Sequence, residues 1–211
     1  MASAVAAALG VPITAAALDR SVAAATRAVE GAAGVAAGRT DRERARVYLE
    51  ALFTGAGVPA VRMDEVARTL RQLHQDWHLW CRTMPGTAES LDRLRAAGLR
   101  LGIVSNSDGR VEEALRAAGI RDRFDVILDS ALVGVEKPDP AIFRAALTAL
   151  GVAPQEALYV GDLYDVDVVG ARAAGMEAVL LVPDVTAPSP PCRRVESLVA
   201  LADDLLTGGH S

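Results

Sequence analysis

The sequence predicts an α/β fold, a doubly wound parallel sheet preceded by a helical lobe, and three features point to it. After residue 84, short apolar runs alternate with glycine-ended helical segments. Before residue 84 only helical periodicity is found. The apolar runs end in or near polar residues, at the edge where an open parallel sheet binds its ligands.

The helical lobe runs from Val5 to about Cys81. Ala15–Glu30, Asp41–Thr54 and Met63–Trp80 carry apolar residues at three- and four-residue spacing, and Gly31, Gly34, Gly55, Gly57 and Pro59 punctuate them. The pattern changes after Met84-Pro85-Gly86. A helix over Thr87–Ala97 stops at Gly98 and leads into the run Leu99–Val104; a helix over Arg110–Ala118 stops at Gly119 and leads into Phe124–Leu128. A helix over Ala141–Leu150 stops at Gly151 before Ala157–Val160, and one over Val168–Ala174 stops at Gly175 before Ala178–Val182. Strands buried on both faces read as continuous apolar runs, and glycine supplies the left-handed residue that closes a helix. Pro183–Pro191 reads as a loop before a last helix over Val195–Leu206. The expected boundaries are 1–83 for the helical lobe and 84–211 for the α/β domain.

A chain of 211 residues is long enough for one good core with a small accessory lobe. Apolar residues make up 51% and aromatics 4%, so the core is built from small side chains. A net charge of −5 without a basic run excludes a nucleic-acid footprint. No stretch approaches the ~18 consecutive apolar residues of a membrane span, and the alanine-rich start lacks a basic leader segment, so no membrane partner and a cytoplasmic location are expected. Cys81 and Cys192 are far apart and form no Cys-x-x-Cys pair, which argues against a disulfide framework or a zinc site.

Lys137 is the only lysine beside 21 arginines. A composition so biased keeps a lysine where a compact ammonium is needed in place of a planar guanidinium. It follows the second run in Val135-Glu-Lys137-Pro-Asp-Pro140, while Ser105 and Asn106 close the first run and Asp162 closes the third, five residues before Asp167. A hydroxyl, an amide, an ammonium and two carboxylates suit a phosphate with Mg2+: hydroxyl and ammonium take the phosphate oxygens, and hard oxygen ligands hold the ion.

Leu101-Gly-Ile-Val-Ser105-Asn106, Lys137-Pro138 and Gly161-Asp162-x4-Asp167-Val-Val-Gly170-Ala171 together resemble the later motifs of the haloacid dehalogenase (HAD) superfamily, in its branch with a helical cap. The resemblance covers residues 84–206 and implies a Rossmann-like core. It implies that Ser105 binds the transferring phosphoryl group, assisted by Asn106, and that Lys137 stabilises its charge. Asp162 would ligate Mg2+, with Asp167 in support through water. The implied reaction is hydrolysis of a small phosphorylated metabolite through an aspartyl-phosphate.

The chain departs from the family at one place. The family nucleophile lies in an apolar strand ending Asp-x-Asp-Gly-Thr ahead of the cap, and no such segment occurs here. Asp165-Val-Asp167 runs into a helix instead of ending a strand; Ile127-Leu-Asp129 ends a strand but is followed at the next motif position by Ala131. In the family that strand lies between those corresponding to Leu99–Val104 and Ala157–Val160. Its absence would leave two unpaired edges, at ~1–3 kcal/mol for each orphaned buried group. The sheet is therefore expected to close up directly, to be completed by another chain (a homodimer or strand complementation), or to belong to a longer, truncated protein. The 211 residues alone are expected to be inactive and to bind Mg2+ weakly or not at all. The alternatives are a non-catalytic binding module and a dehalogenase. Outside the motifs, Asp165 reads as a helix cap or solvated charge, Asp108 as a turn residue, His74 and His78 as cap packing, and Arg42, Arg44 and Arg46 as a solvated helix face.

Overall fold

The computed structural model describes residues 2–29, 40–77, 83–182 and 191–208. The chain divides into two compact units, Met1–Trp80 and Cys81–Ser211.

The first unit holds α1 (Ala2–Leu9), α2 (Ala15–Val29), α3 (Asp41–Gly55) and α4 (Met63–Trp77), with no strand among its described residues. Helix α3 starts on a capping box, in which the Thr40 hydroxyl accepts the Glu43 N–H while the Glu43 carboxylate accepts the Thr40 N–H. The apolar stripes meet in a core that includes Val5, Leu18, Ala25, Phe53, Val66 and Leu70. Arg44 corrects the reading of its neighbourhood as a solvated face. Arg42 and Arg46 are exposed, but Arg44 is buried and pairs with Asp41 at 3.3 Å. Residues four apart share a helix face, whereas the residue between them lies nearly opposite.

The second unit runs α5 (Thr87–Ala96), β1 (Gly102–Ser105), α6 (Val111–Ala117), β2 (Val126–Asp129), α7 (Ser130–Val133) and α8 (Pro140–Leu150). It continues with β3 (Leu158–Gly161), a π-helical turn at Tyr164–Val168, α9 (Val169–Ala173), β4 (Glu177–Leu181), β5 (Arg193–Val195) and α10 (Leu198–Thr207). Every strand pair is parallel. Helix α8 shows why the chain folds so locally: Asp139 accepts the Ala141 N–H, Pro140 occupies the first turn, and Gly151 closes the helix at φ 64°.

Two elements lie outside the expected pattern. Arg193–Val195 pairs with β4, and the last helix begins three residues later than expected, capped by Ser197. A three-residue edge strand containing two arginines has no apolar run to announce it; pairing to β4 creates it. The turn α7 is started by the Asp129 carboxylate and stopped by Gly134 at φ 74°.

The sheet does not close up. β1 bonds β2 in one sheet, and β4 bonds both β3 and β5 in another. Shared helices cover both: α8 packs on β1 and β2, while its Phe143 joins Val168, Ala171, Ala178 and Leu180 beside β3 and β4. On the other side, Leu91 of α5 packs with Ile103 and Leu198, and Leu198 also meets Val160 and Leu201. Between β1 and β3 lies a cavity of about 800 Å3, lined by Leu101–Val104, Leu158–Val160 and apolar helix side chains.

Candidate functional site

The carboxyl ends of β1 and β3 are tied together through Lys137. Asn106, just after β1, holds the Lys137 backbone at both ends: its carboxamide accepts the Lys137 N–H at 2.8 Å and donates to the Lys137 carbonyl at 3.0 Å. The Lys137 ammonium then donates to Asp167 Oδ1 at 2.8 Å and to the Tyr159 hydroxyl oxygen at 3.0 Å, and lies 5.6 Å from the Tyr159 ring centre. The Tyr159 proton is shared between the Val104 carbonyl, 3.2 Å away, and Asp167 Oδ1, 3.3 Å away. Asp167 is 1% exposed, and its other oxygen accepts the N–H groups of Asp162 and Leu163 at 3.1 and 3.0 Å.

The two glycines of the last motif exist to allow this packing. A Cβ on Gly161 would lie 2.3 Å from Asp167 Cβ and Cγ, so only glycine lets the carboxylate sit against the end of β3. A Cβ on Gly170 would lie 2.7 Å from the Phe143 ring and 2.9 Å from the Pro138 carbonyl. Phe143 in turn packs edge-on against Tyr159, with ring centres 4.9 Å apart.

Burial by itself would lower the Lys137 pKa, but the Tyr159 oxygen and the Asp167 charge outweigh it and hold the ammonium above the ordinary lysine value. Burial and the Asp167 charge, opposed by Lys137, push the Tyr159 phenol up to about 12. Asp162 is accessible to solvent, yet crowding by protein on its inner side and the nearby Asp167 charge raise its carboxyl above the usual range. Its accessibility tempers the burial contribution.

Ser105 ends β1 in register with Asp129 of β2, and its hydroxyl makes no hydrogen bond among the described residues. Asn106, expected to assist substrate binding, spends its carboxamide on positioning Lys137. Asp167, expected to support a metal, offers both oxygens to protein donors. Asp162 is left without an ion pair among the described residues. His78, Trp80 and Cys81 lie outside the described residues, so the His74–His78 pairing is not described. Asp108 accepts from Arg110 at 3.1 Å.

Sequence reasoning missed Tyr159 altogether and weighed Asp129 only as a substitute nucleophile, not in the role it has. Tyr159 lies in the middle of an apolar run, where an aromatic reads as core; only its fold neighbours reveal a hydroxyl that reaches Lys137 and Asp167. Asp129 is 2% exposed and serves as a clamp, accepting N–H groups from Gly109, Val111 and Ala131 at 3.0–3.2 Å. With Ser130, whose hydroxyl accepts the Ser107 N–H at 3.1 Å, it holds the loop that follows Ser105. Its signal was its place at a strand end before a helical turn, the position of an N-cap.

Comparison with known proteins identifies the family. A family model described as haloacid dehalogenase-like hydrolase matches residues 8–175. The mouse haloacid dehalogenase-like hydrolase domain-containing protein 3 is 39% identical over 149 residues, 70% of this chain and 59% of that protein. A phosphoserine phosphatase of Thermus thermophilus is 40% identical over 137 residues, 64% of this chain and 53% of that protein. The chain thus spans somewhat more than half the length of these relatives. Among solved structures, the HAD-hydrolase YfnB of Bacillus subtilis, bound to magnesium, aligns over 95% of this chain and 87% of its own, with a TM-score of 0.67 at 20% identity. With the family model spanning both units and the motif residues meeting at Lys137, the chain belongs to the haloacid dehalogenase-like hydrolases.

Proposed function

We propose that the site hydrolyses a small phosphomonoester whose phosphoryl group is held by Ser105 and Lys137. The observation that carries this reading is the Lys137 ammonium, kept charged by Asp167 and fixed by its own backbone to Asn106, the residue after Ser105. A charged donor, tied through its backbone to the residue after an uncommitted hydroxyl, matches the needs of a phosphoryl group: the hydroxyl donates to one oxygen, and the ammonium offsets the charge that develops on transfer. The phosphatase name of the Thermus relative supports the same substrate class.

Attack on phosphorus needs a carboxylate with a free lone pair aimed at the phosphoryl group. Asp167 is bound on both oxygens and Asp129 is clamped by three backbone N–H groups, so neither serves. The resemblance places the nucleophile of an aspartyl-phosphate route on a strand ending Asp-x-Asp, a segment these 211 residues do not contain, and gives Asp162 to the metal instead. The same holds for Mg2+. Among the described residues no group of three or more His, Cys, Asp or Glu could hold a metal, and of the two acids of the last motif only Asp162 has a carboxylate without an ion pair. Mg2+ demands near-octahedral oxygen ligation, so the residues present do not make its site, and no step is assigned to the ion.

The test is hydrolysis of p-nitrophenyl phosphate by the 211 residues and by a version extended with an apolar strand ending Asp-x-Asp-Gly-Thr. The first should be inactive and the second active. In the active version, Ser105→Ala and Lys137→Ala should each lower kcat about 100-fold or more. Turnover by a folded, extended chain that ignores both substitutions would refute the assignment.

A further inference from the structure

We infer that Tyr159 is a positioning residue: with Asp167, its hydroxyl holds the tip of Lys137 so that the ammonium faces one direction, toward the phosphoryl group. The aim at a phosphoryl group rests on the reading of Ser105 and Lys137 given above; the anchoring of the ammonium does not. Lysine carries its charge on a flexible four-carbon stem that ends in a turning ammonium. One acceptor lets such a group swing about a single hydrogen bond. Here Nζ meets two, Asp167 Oδ1 at 2.8 Å and the Tyr159 hydroxyl oxygen at 3.0 Å, and these two oxygens lie 3.3 Å apart. A triangle closed on all three sides sets both the tilt of the Cε–Nζ bond and the rotation about it. Asn106 fixes the other end of the residue by bonding the Lys137 N–H and carbonyl.

Three observations give the Tyr159 hydroxyl a role beyond that of Asp167. The first is rigidity. Asp167 lies in the π-helical turn Tyr164–Val168, whereas Tyr159 lies within β3, in register with Ala178 of β4. Its ring packs edge-on against the fully buried Phe143, at 75° with centres 4.9 Å apart. Groups carried on strands hold their place better than groups on loops. The second is charge. The phenol keeps its proton at neutral pH, so it anchors the ammonium without cancelling its charge, as a second carboxylate would. The third is the direction of that proton. It goes to the Val104 carbonyl or to Asp167 Oδ1, so toward Lys137 the oxygen acts as acceptor.

A Phe at this position would fill the same space and would keep the attraction of the ring, whose centre is 5.6 Å from Nζ. Tyr159→Phe therefore isolates the oxygen.

Because Lys137 is the only lysine, the 211-residue chain produced with isotopically labelled lysine gives a single side-chain ammonium signal in nuclear magnetic resonance. Nitrogen relaxation measures the order of its Cε–Nζ axis, and transfer of the signal to water measures its hydrogen exchange. The wild-type ammonium should be ordered and slow to exchange. In Tyr159→Phe the order should fall and exchange should quicken about tenfold or more. A wild-type ammonium as mobile as that of an exposed lysine would overturn the anchoring, and so would a folded Tyr159→Phe with unchanged order and exchange. Leu201→Val loosens the core at α10, where Leu201 packs with Val179 and Val195. It should lower the melting temperature and leave the ammonium signal as it is; a loss of order equal to that in Tyr159→Phe would reduce Tyr159 to a packing role. Inorganic phosphate, added to the same samples, should shift the wild-type signal and bind about threefold or more weakly to Tyr159→Phe. Equal phosphate affinity in the two chains would overturn the aim. Phosphate that leaves the wild-type signal unmoved would refute the phosphoryl reading, while relaxation alone decides the anchoring.

Discussion

Replacing Lys137 with methionine should destabilise the folded chain by about 3–5 kcal/mol, because it strands a charge that the interior cannot hydrate. The partner it abandons, Asp167, has a side chain only 2% exposed, while Lys137 itself is 13% exposed. A surface ion pair would be worth ~0–1 kcal/mol, so the two cases are well separated. Asp167 keeps the N–H groups of Asp162 and Leu163, which places the expected loss at the lower end, about 3 kcal/mol. Asp167→Asn strands the ammonium instead, but the amide oxygen still accepts the two N–H groups. The double variant removes both charges together and should cost less than the sum of the singles by about 2 kcal/mol. Urea denaturation of all four chains at pH 7, followed by circular dichroism, measures this cycle, and equal m-values would license the comparison. Against a total stability of ~5–15 kcal/mol the shift in midpoint is large. A coupling below about 0.5 kcal/mol would refute the buried pair as a stabilising unit and reduce it to a surface contact.

Lys137 and Tyr159 both hold their protons more tightly when folded, so their contribution is intact below their unfolded pKa values of about 10 and lost as pH rises through the folded values. The melting temperature should therefore fall from about pH 10 upward, less steeply in Tyr159→Phe; a wild-type slope that matches the variant would count against it. Gly161→Ala should lower stability by about 1–3 kcal/mol, since its Cβ would overlap Asp167 Cβ and Cγ; a neutral effect in thermal melts would contradict the packing. Asp129→Asn should free the loop after Ser105, seen as faster hydrogen exchange at Gly109 and Val111, because a carboxamide cannot accept all three N–H groups that the carboxylate holds. Calorimetry on the 211 residues should detect no tight Mg2+ binding, and micromolar binding that survives Asp162→Asn would disprove the placement of Asp162 as the available ligand.

Much of this protein could be read from the chain alone, because its information is local. The glycine that stops each helix, the Asp139-Pro140 start of α8 and the uninterrupted apolar runs each impose a backbone preference within a few residues, and together they spell a parallel α/β unit. The lone Lys137 and the spaced acids Asp162 and Asp167 were legible for the same reason: strand ends are local features, and the chemistry of the side chains is independent of packing. What only the tertiary structure decided depends on residues far apart in sequence. Tyr159 becomes part of the site because β3 faces Val104 across the cavity, 55 residues away in the chain. Arg193–Val195 becomes a strand because β4 offers it an edge. Asp167 becomes a partner of Lys137 because Gly161 admits its carboxylate, 30 residues from the ammonium it holds. The gap between β1 and β3 follows the same rule. Sequence could show that no apolar strand with Asp-x-Asp stood beside them, but that β1 and β3 lie in two separate sheets is seen only in the tertiary structure.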